Sequence, residues 1–202
     1  MQLILLEKTY DYPNKVESID ELIQQIIDTL NESNLYFNYL IVDGVEVYDE
    51  CEEYLLDRIN DIKKIEVEAK TVETFTSDLL LMGENYLKGA IPEVSKLADE
   101  FYKGATQNTW EKFQQLLEGL QWLYQFIETV NKNSERPYNW DQFLEISGNL
   151  QNELQNLNEA LVNNDAILIG DLISYEIQPL LERFKDELTN TIDHQGQRTD
   201  LN

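Results

Sequence analysis

The chain has 202 residues, room for one or two domains at about 150 residues each. It carries 39 acidic against 15 basic side chains, a formal net charge of −24, with 42% hydrophobic and 10% aromatic residues. That apolar content supports a buried core, and that charge repels phosphate backbones and anionic headgroups, so neither nucleic acid nor a membrane surface is an expected partner.

The run Leu3-Ile-Leu-Leu6 reads as a buried strand. The apolar stretch before Glu7 is too short for a signal-peptide core, and no positive residue precedes it. No other stretch approaches the ~20 apolar residues of a membrane span. The expectation is a cytoplasmic protein. Ser18, with Glu21 three positions on, predicts a capped helix over 19–32, and Leu22, Ile26, Ile27 and Leu30 recur on one face of it. Tyr36–Val42 and Val45–Tyr48 are aromatic and β-branched and flank Asp43-Gly44, a favoured two-residue hairpin turn. A helix over 50–61 and an alternating strand over 65–69 complete a β-α-β-β-α-β order, which predicts a small ferredoxin-like α+β unit over residues 1–72.

From residue 73 to 194 the pattern is helical throughout. Helices are predicted over 77–103, 108–132, 139–162 and 165–193, with Pro92 and Pro179 expected to kink or split the first and last. Short connections between long helices predict an antiparallel four-helix bundle. Residues 195–202 lack periodicity and read as a frayed tail. Charge is not segregated: residues 1–70 hold 17 acids and 6 bases, residues 71–202 hold 22 and 9.

Motifs that would name a reaction are absent. No phosphate-binding glycine pattern and no Gly-x-Ser-x-Gly elbow exists, and the eight glycines lie singly. Cys51 has no second cysteine to pair with, and one histidine, His194, cannot build a two-histidine metal site. The dinuclear-iron chemistry of carboxylate bundles needs paired Glu-x-x-His motifs, and Thr191 stands three residues before His194. The acids around the hairpin, Asp43, Glu46, Asp49, Glu50, Glu52 and Glu53, read as a solvated helix start rather than a cation site. They should also hold the Cys51 thiol protonated and inert. No cofactor and no metal is expected.

Three features bear on function. Glu84 and Glu176 fall on or beside apolar helical stripes and are candidate buried carboxylates. In the helix over 108–132 the stripe Trp110, Phe113, Leu117, Leu120, Tyr124 and Ile127 places Trp122 and Phe126 on the opposite side, with Gly119 leaving a gap beside them. That aromatic pair reads as a contact for a partner segment, for a second copy, or for the N-terminal unit.

Residues 160–184, with Asp165, Gly170-Asp171, Tyr175-Glu176 and Pro179, resemble the C-terminal helical region of an uncharacterised protein family of low-GC Gram-positive bacteria. The resemblance implies no activity. A looser similarity, in shape and acidity alone, is to helical chaperones of flagellar and type III export. The reading is a non-catalytic acidic protein-binding module, an adaptor or chaperone, for a basic or amphipathic segment. Its alternatives are a nucleic-acid-mimicking decoy and an enzyme with a carboxylate site between the two units.

Overall fold

The computed structural model describes residues 1–133 and 136–195. Residues 196–202, most of the expected tail, lie outside the described residues. Packing divides the chain between Phe75 and Thr76 into two units.

The N-terminal unit holds β1 (Gln2–Leu5), β2 (Lys8–Asp11), α1 (Glu17–Glu32), β3 (Leu35–Val42), β4 (Val45–Val47), α2 (Cys51–Asp57) and β5 (Lys64–Thr71). The α+β class holds. The ferredoxin-like order does not, because a further strand, β2, pairs antiparallel with β1 and the sheet runs β2-β1-β5-β3-β4. Its central pair, β1 and β5, is parallel, while β3 is antiparallel to both neighbours; this is a β-grasp order. The β1–β2 turn is made by Leu6 and Glu7, both at positive φ. A Leu-Glu pair carries no turn signal, because left-handed backbone is costly for side chains without a local hydrogen bond. The β3–β4 turn is the expected one, with Asp43 at φ 50° and Gly44 at φ 89°. The Asp43 carboxylate also accepts from the backbone N–H of Lys63 and Lys64, which ties the hairpin to the start of β5.

Helix α1 begins earlier than Ser18. Its first-turn cap position is Val16 and no side chain caps it. Ser18 is instead buried inside the helix. The start is set by tertiary anchoring: the Asn14 amide donates to the carbonyls of Ile59 and Ile62, both at 2.8 Å. Leu3, Leu5, Leu40 and Ile65 of the sheet pack on Ile19 and Leu22 of α1, forming a core of their own.

The second unit is built on α3 (Val72–Lys103), α4 (Gln107–Lys132), α5 (Trp140–Val162), α6 (Ala166–Asp171), a π-helical stretch Leu172–Ile177 and α7 (Gln178–Gln195), the last three running on as one rod. Thr76 near the start of α3 hydrogen-bonds Asn133 beyond the end of α4, and Phe101 near the end of α3 packs on Phe113 near the start of α4. Asn139 and Arg183 join the start of α5 to the far part of α7, through Glu187 and Glu145 respectively. Neighbouring rods are therefore antiparallel, around one shared core.

Neither proline breaks its helix. Pro92 lies on an exposed face of α3, and its missing N–H withholds a donor from the carbonyl of Lys88, itself an exposed residue. Before Pro179 the backbone widens into the π-helical turn, and the α-helix restarts at Gln178.

Candidate functional site

In the N-terminal unit an open groove of about 520 Å³ runs between α1, β3 and α2. One lip is the end of α1, with Ile23, Ile27 and Leu30, and the other is the first part of β3, with Leu35 and Phe37. Ile27 is 45% exposed and Phe37 39%. Leaving such side chains in water forgoes about 25 cal/mol per Å² of apolar area. The lining is apolar apart from Asn31, Asn34, Tyr36, Cys51 and Glu52. A bulge in the β3–β5 register between Phe37 and Tyr39 shifts the alternation of β3, so that Leu35, Phe37 and Leu40 all line the groove, while the Tyr36 ring stacks on Phe75 at 3.9 Å.

Strand β4 pairs with Leu40–Val42 alone. The first half of β3, from Leu35 to Tyr39, therefore forms an edge of the sheet beside the groove. Around the far end stand acids: Glu52 lines it, Glu53 is also in the first turn of α2, and Asp49 and Glu50 precede that helix, all exposed. Tyr48 donates to Glu46 at 2.6 Å and is pushed up to about 12 by that bond. Cys51 is half-buried, its Sγ 3.4 Å from the Val47 carbonyl; burial pushes its thiol up, and the charge of Asp49 adds to the rise. Among the described residues no cluster of three or more His, Cys, Asp or Glu is arranged to hold a metal ion.

A family model described as a domain of unknown function (DUF8042) matches residues 78–187, more than half of the chain. The chain belongs to that family. A second model, described as the TP0873 N-terminal domain, matches residues 1–71, which hold the groove and its sheet edge. No curated protein and no solved structure matches. Among the described residues no helix is long and apolar enough to cross a membrane.

The DUF8042 region contains the residues singled out from the sequence, and their placement there requires corrections. Phe126 is 3% exposed, in the bundle core, with its ring 5.9 Å from Phe184. Trp122 is half-buried against that core and 5.2 Å from the Tyr86 ring. The gap at Gly119 is filled, because Tyr86 lies over it. The aromatic pair is thus packed by α3 and α7 of the bundle itself, with Phe126 buried and Trp122 half-buried.

The physical reason is that α4 has two neighbours. Leu117, Leu120, Tyr124 and Ile127 face α5, whereas Leu116, Gly119, Leu123 and Phe126 face α3 and α7. A single stripe captures one of these faces and misreads the other as solvent; Trp110 and Tyr124, expected inside, are exposed.

Glu84 is 2% exposed and accepts from Lys88 Nζ at 2.7 Å and Thr189 Oγ1 at 2.6 Å. Glu176 is exposed, a correction to its expected place beside Ile173 and Leu180. It lies in the π-helical stretch, where each turn takes in more residues and a 3.6-residue wheel loses phase. His194 is in the last turn of α7, its ring 4.5 Å from that of Tyr138. Sequence reasoning missed the groove because its lips come from α1 and β3, whose apolar residues read as core from pattern alone. The one available signal was the uncharged run Leu35–Tyr39 before a very short partner strand.

Proposed function

We propose that the chain is a non-catalytic, acidic protein-binding module that engages a basic or amphipathic segment of a partner protein in a bacterial cytosol. The groove of the N-terminal unit carries this reading. It offers Ile27 and Phe37 as apolar contacts on opposite lips, with carboxylates of the α2 region at its rim. Apolar burial supplies affinity, and the surrounding negative charge raises the encounter rate of a basic segment and disfavours acidic competitors.

The test is affinity capture of bacterial cytosolic proteins on the full chain and on its Ile27→Glu variant. The expected result is a defined partner held by the wild type, released as salt rises and absent from the variant. Equal capture by both chains, or retention indifferent to salt, overturns the reading.

A further inference from the structure

We infer that the groove takes its partner segment as an added β-strand: an extended peptide, apolar and β-branched at alternate positions and flanked by Lys or Arg, aligned along Leu35–Tyr39. This inference rests on the protein-binding reading above and states how the same site works.

The sheet provides the first reason. Because β4 spans Val45–Val47 and ends opposite Leu40, the segment Leu35–Tyr39 has strand β5 on one side and the sheet edge on the other. Five residues of edge correspond to about 17 Å of strand, an ordinary strand length.

Protein sheets usually blunt their edges with charges or prolines. The outer strand β2 carries Lys8 and Asp11, and β4 carries Glu46. The Leu-Tyr-Phe-Asn-Tyr edge of β3 carries no charge and no proline.

The groove provides the second reason. Leu35, Phe37 and Leu40 of β3 form its wall on the strand side and Ile27 and Leu30 of α1 the wall opposite. A strand laid on the edge points every second side chain to one face of the sheet, here the face that α1 covers, and those side chains enter the groove. A helix in the same place satisfies its own backbone and leaves the edge of β3 uncovered.

Charge selects the flanks of the segment. Glu52 is the one acidic or basic residue among those lining the groove, and residues 1–75 hold 18 acidic against six basic side chains. Lysine or arginine at the ends of the peptide meets Glu52 and its neighbours Asp49, Glu50 and Glu53.

The experiment pans a phage-displayed random 12-residue library on the full chain and counter-selects on Ile27→Glu, with Phe37→Lys as the second blocking variant should the first not fold. An enriched peptide is then synthesised and scanned by backbone N-methylation. Amide exchange of Leu35–Tyr39 is followed by NMR. The expected result is alternating β-branched residues with basic flanks, protection of amides in Leu35–Tyr39, and at least tenfold weaker binding on N-methylation at alternate positions.

Enriched peptides with apolar residues at helical spacing, or binding that leaves those amides unprotected, overturn the strand inference and leave the protein-binding reading standing. A library that yields nothing distinguishing wild type from both blocked variants overturns both. A chain that sediments as a dimer dissociated by Phe37→Lys assigns the edge to a second copy and overturns the inference.

Discussion

Tyr86 lies across Gly119, its hydroxyl 1.7 Å from the point that a Cβ at position 119 would occupy. This contact closes the α3–α4 face of the bundle and gives Trp122 its partner ring. Gly119→Ala must push Tyr86 aside. Because Tyr86 is partly exposed, it has somewhere to go, and helix propensity returns about 1 kcal/mol. The expected outcome is a net stability change under about 1 kcal/mol with a clear change in Trp122 near-ultraviolet dichroism. Trp122→Ala, by contrast, should cost about 3 kcal/mol in urea unfolding at unchanged molecular mass, as truncating a packed ring does. A mass change with little loss of stability would return Trp122 to the role of a contact between chains.

Glu84 binds across the bundle to Thr189, 105 residues away in sequence. Glu84→Ala removes a buried carboxylate that accepts from both Lys88 and the half-buried Thr189 hydroxyl, and should destabilise by about 2 kcal/mol. Glu84→Gln keeps a carbonyl for Thr189, and Lys88, half-exposed, turns to water. Its cost should stay below about 1 kcal/mol. Denaturant titration of the two variants checks the order, and neither should alter peptide capture by the groove.

Glu100 is held below the usual carboxylate range by hydrogen bonds from Lys112 and Thr109. A folded-state pKa below the unfolded value contributes stability above the unfolded pKa of about 4.3 and loses it as pH falls through the folded one. The melting temperature of Glu100→Gln should therefore fall below wild type at pH 7, and the difference should close progressively below about pH 4. A difference that widens in acid would contradict the sign.

Tyr102 donates to Asp171 at 2.7 Å, and that bond pushes its hydroxyl up to about 12. Tyr48 is raised to about 12 in the same way by Glu46. Spectrophotometric titration of the tyrosines should show a late-ionising class that shrinks in Asp171→Asn and shrinks again when Glu46→Gln is added. Each pair stabilises the fold below the unfolded tyrosine pKa of about 10 and loses that contribution as pH rises through the raised value.

Legibility in the sequence followed how local each signal was. The Asp43-Gly44 turn, the end of α5 at Asn163-Asn164 and the long amphipathic helices were readable, because turn preference and helical period reside in adjacent residues. The Leu6-Glu7 turn was not readable, because its left-handed backbone is imposed by the pairing of β1 with β2. Glu176 was misplaced because it lies in the π-helical stretch before Pro179, where a 3.6-residue wheel loses phase. Phe126 was misplaced because a wheel assigns a helix one buried side, whereas α4 is covered on two.

By itself, then, the amino-acid order determined an acidic α+β chain with a sheet first and amphipathic helices after it, since composition and periodicity are local properties. Only the tertiary structure decided which apolar residues remain uncovered. Exposure depends on what the rest of the chain lays over a side chain, and so Phe126 is buried while Ile27 and Phe37 face an open groove.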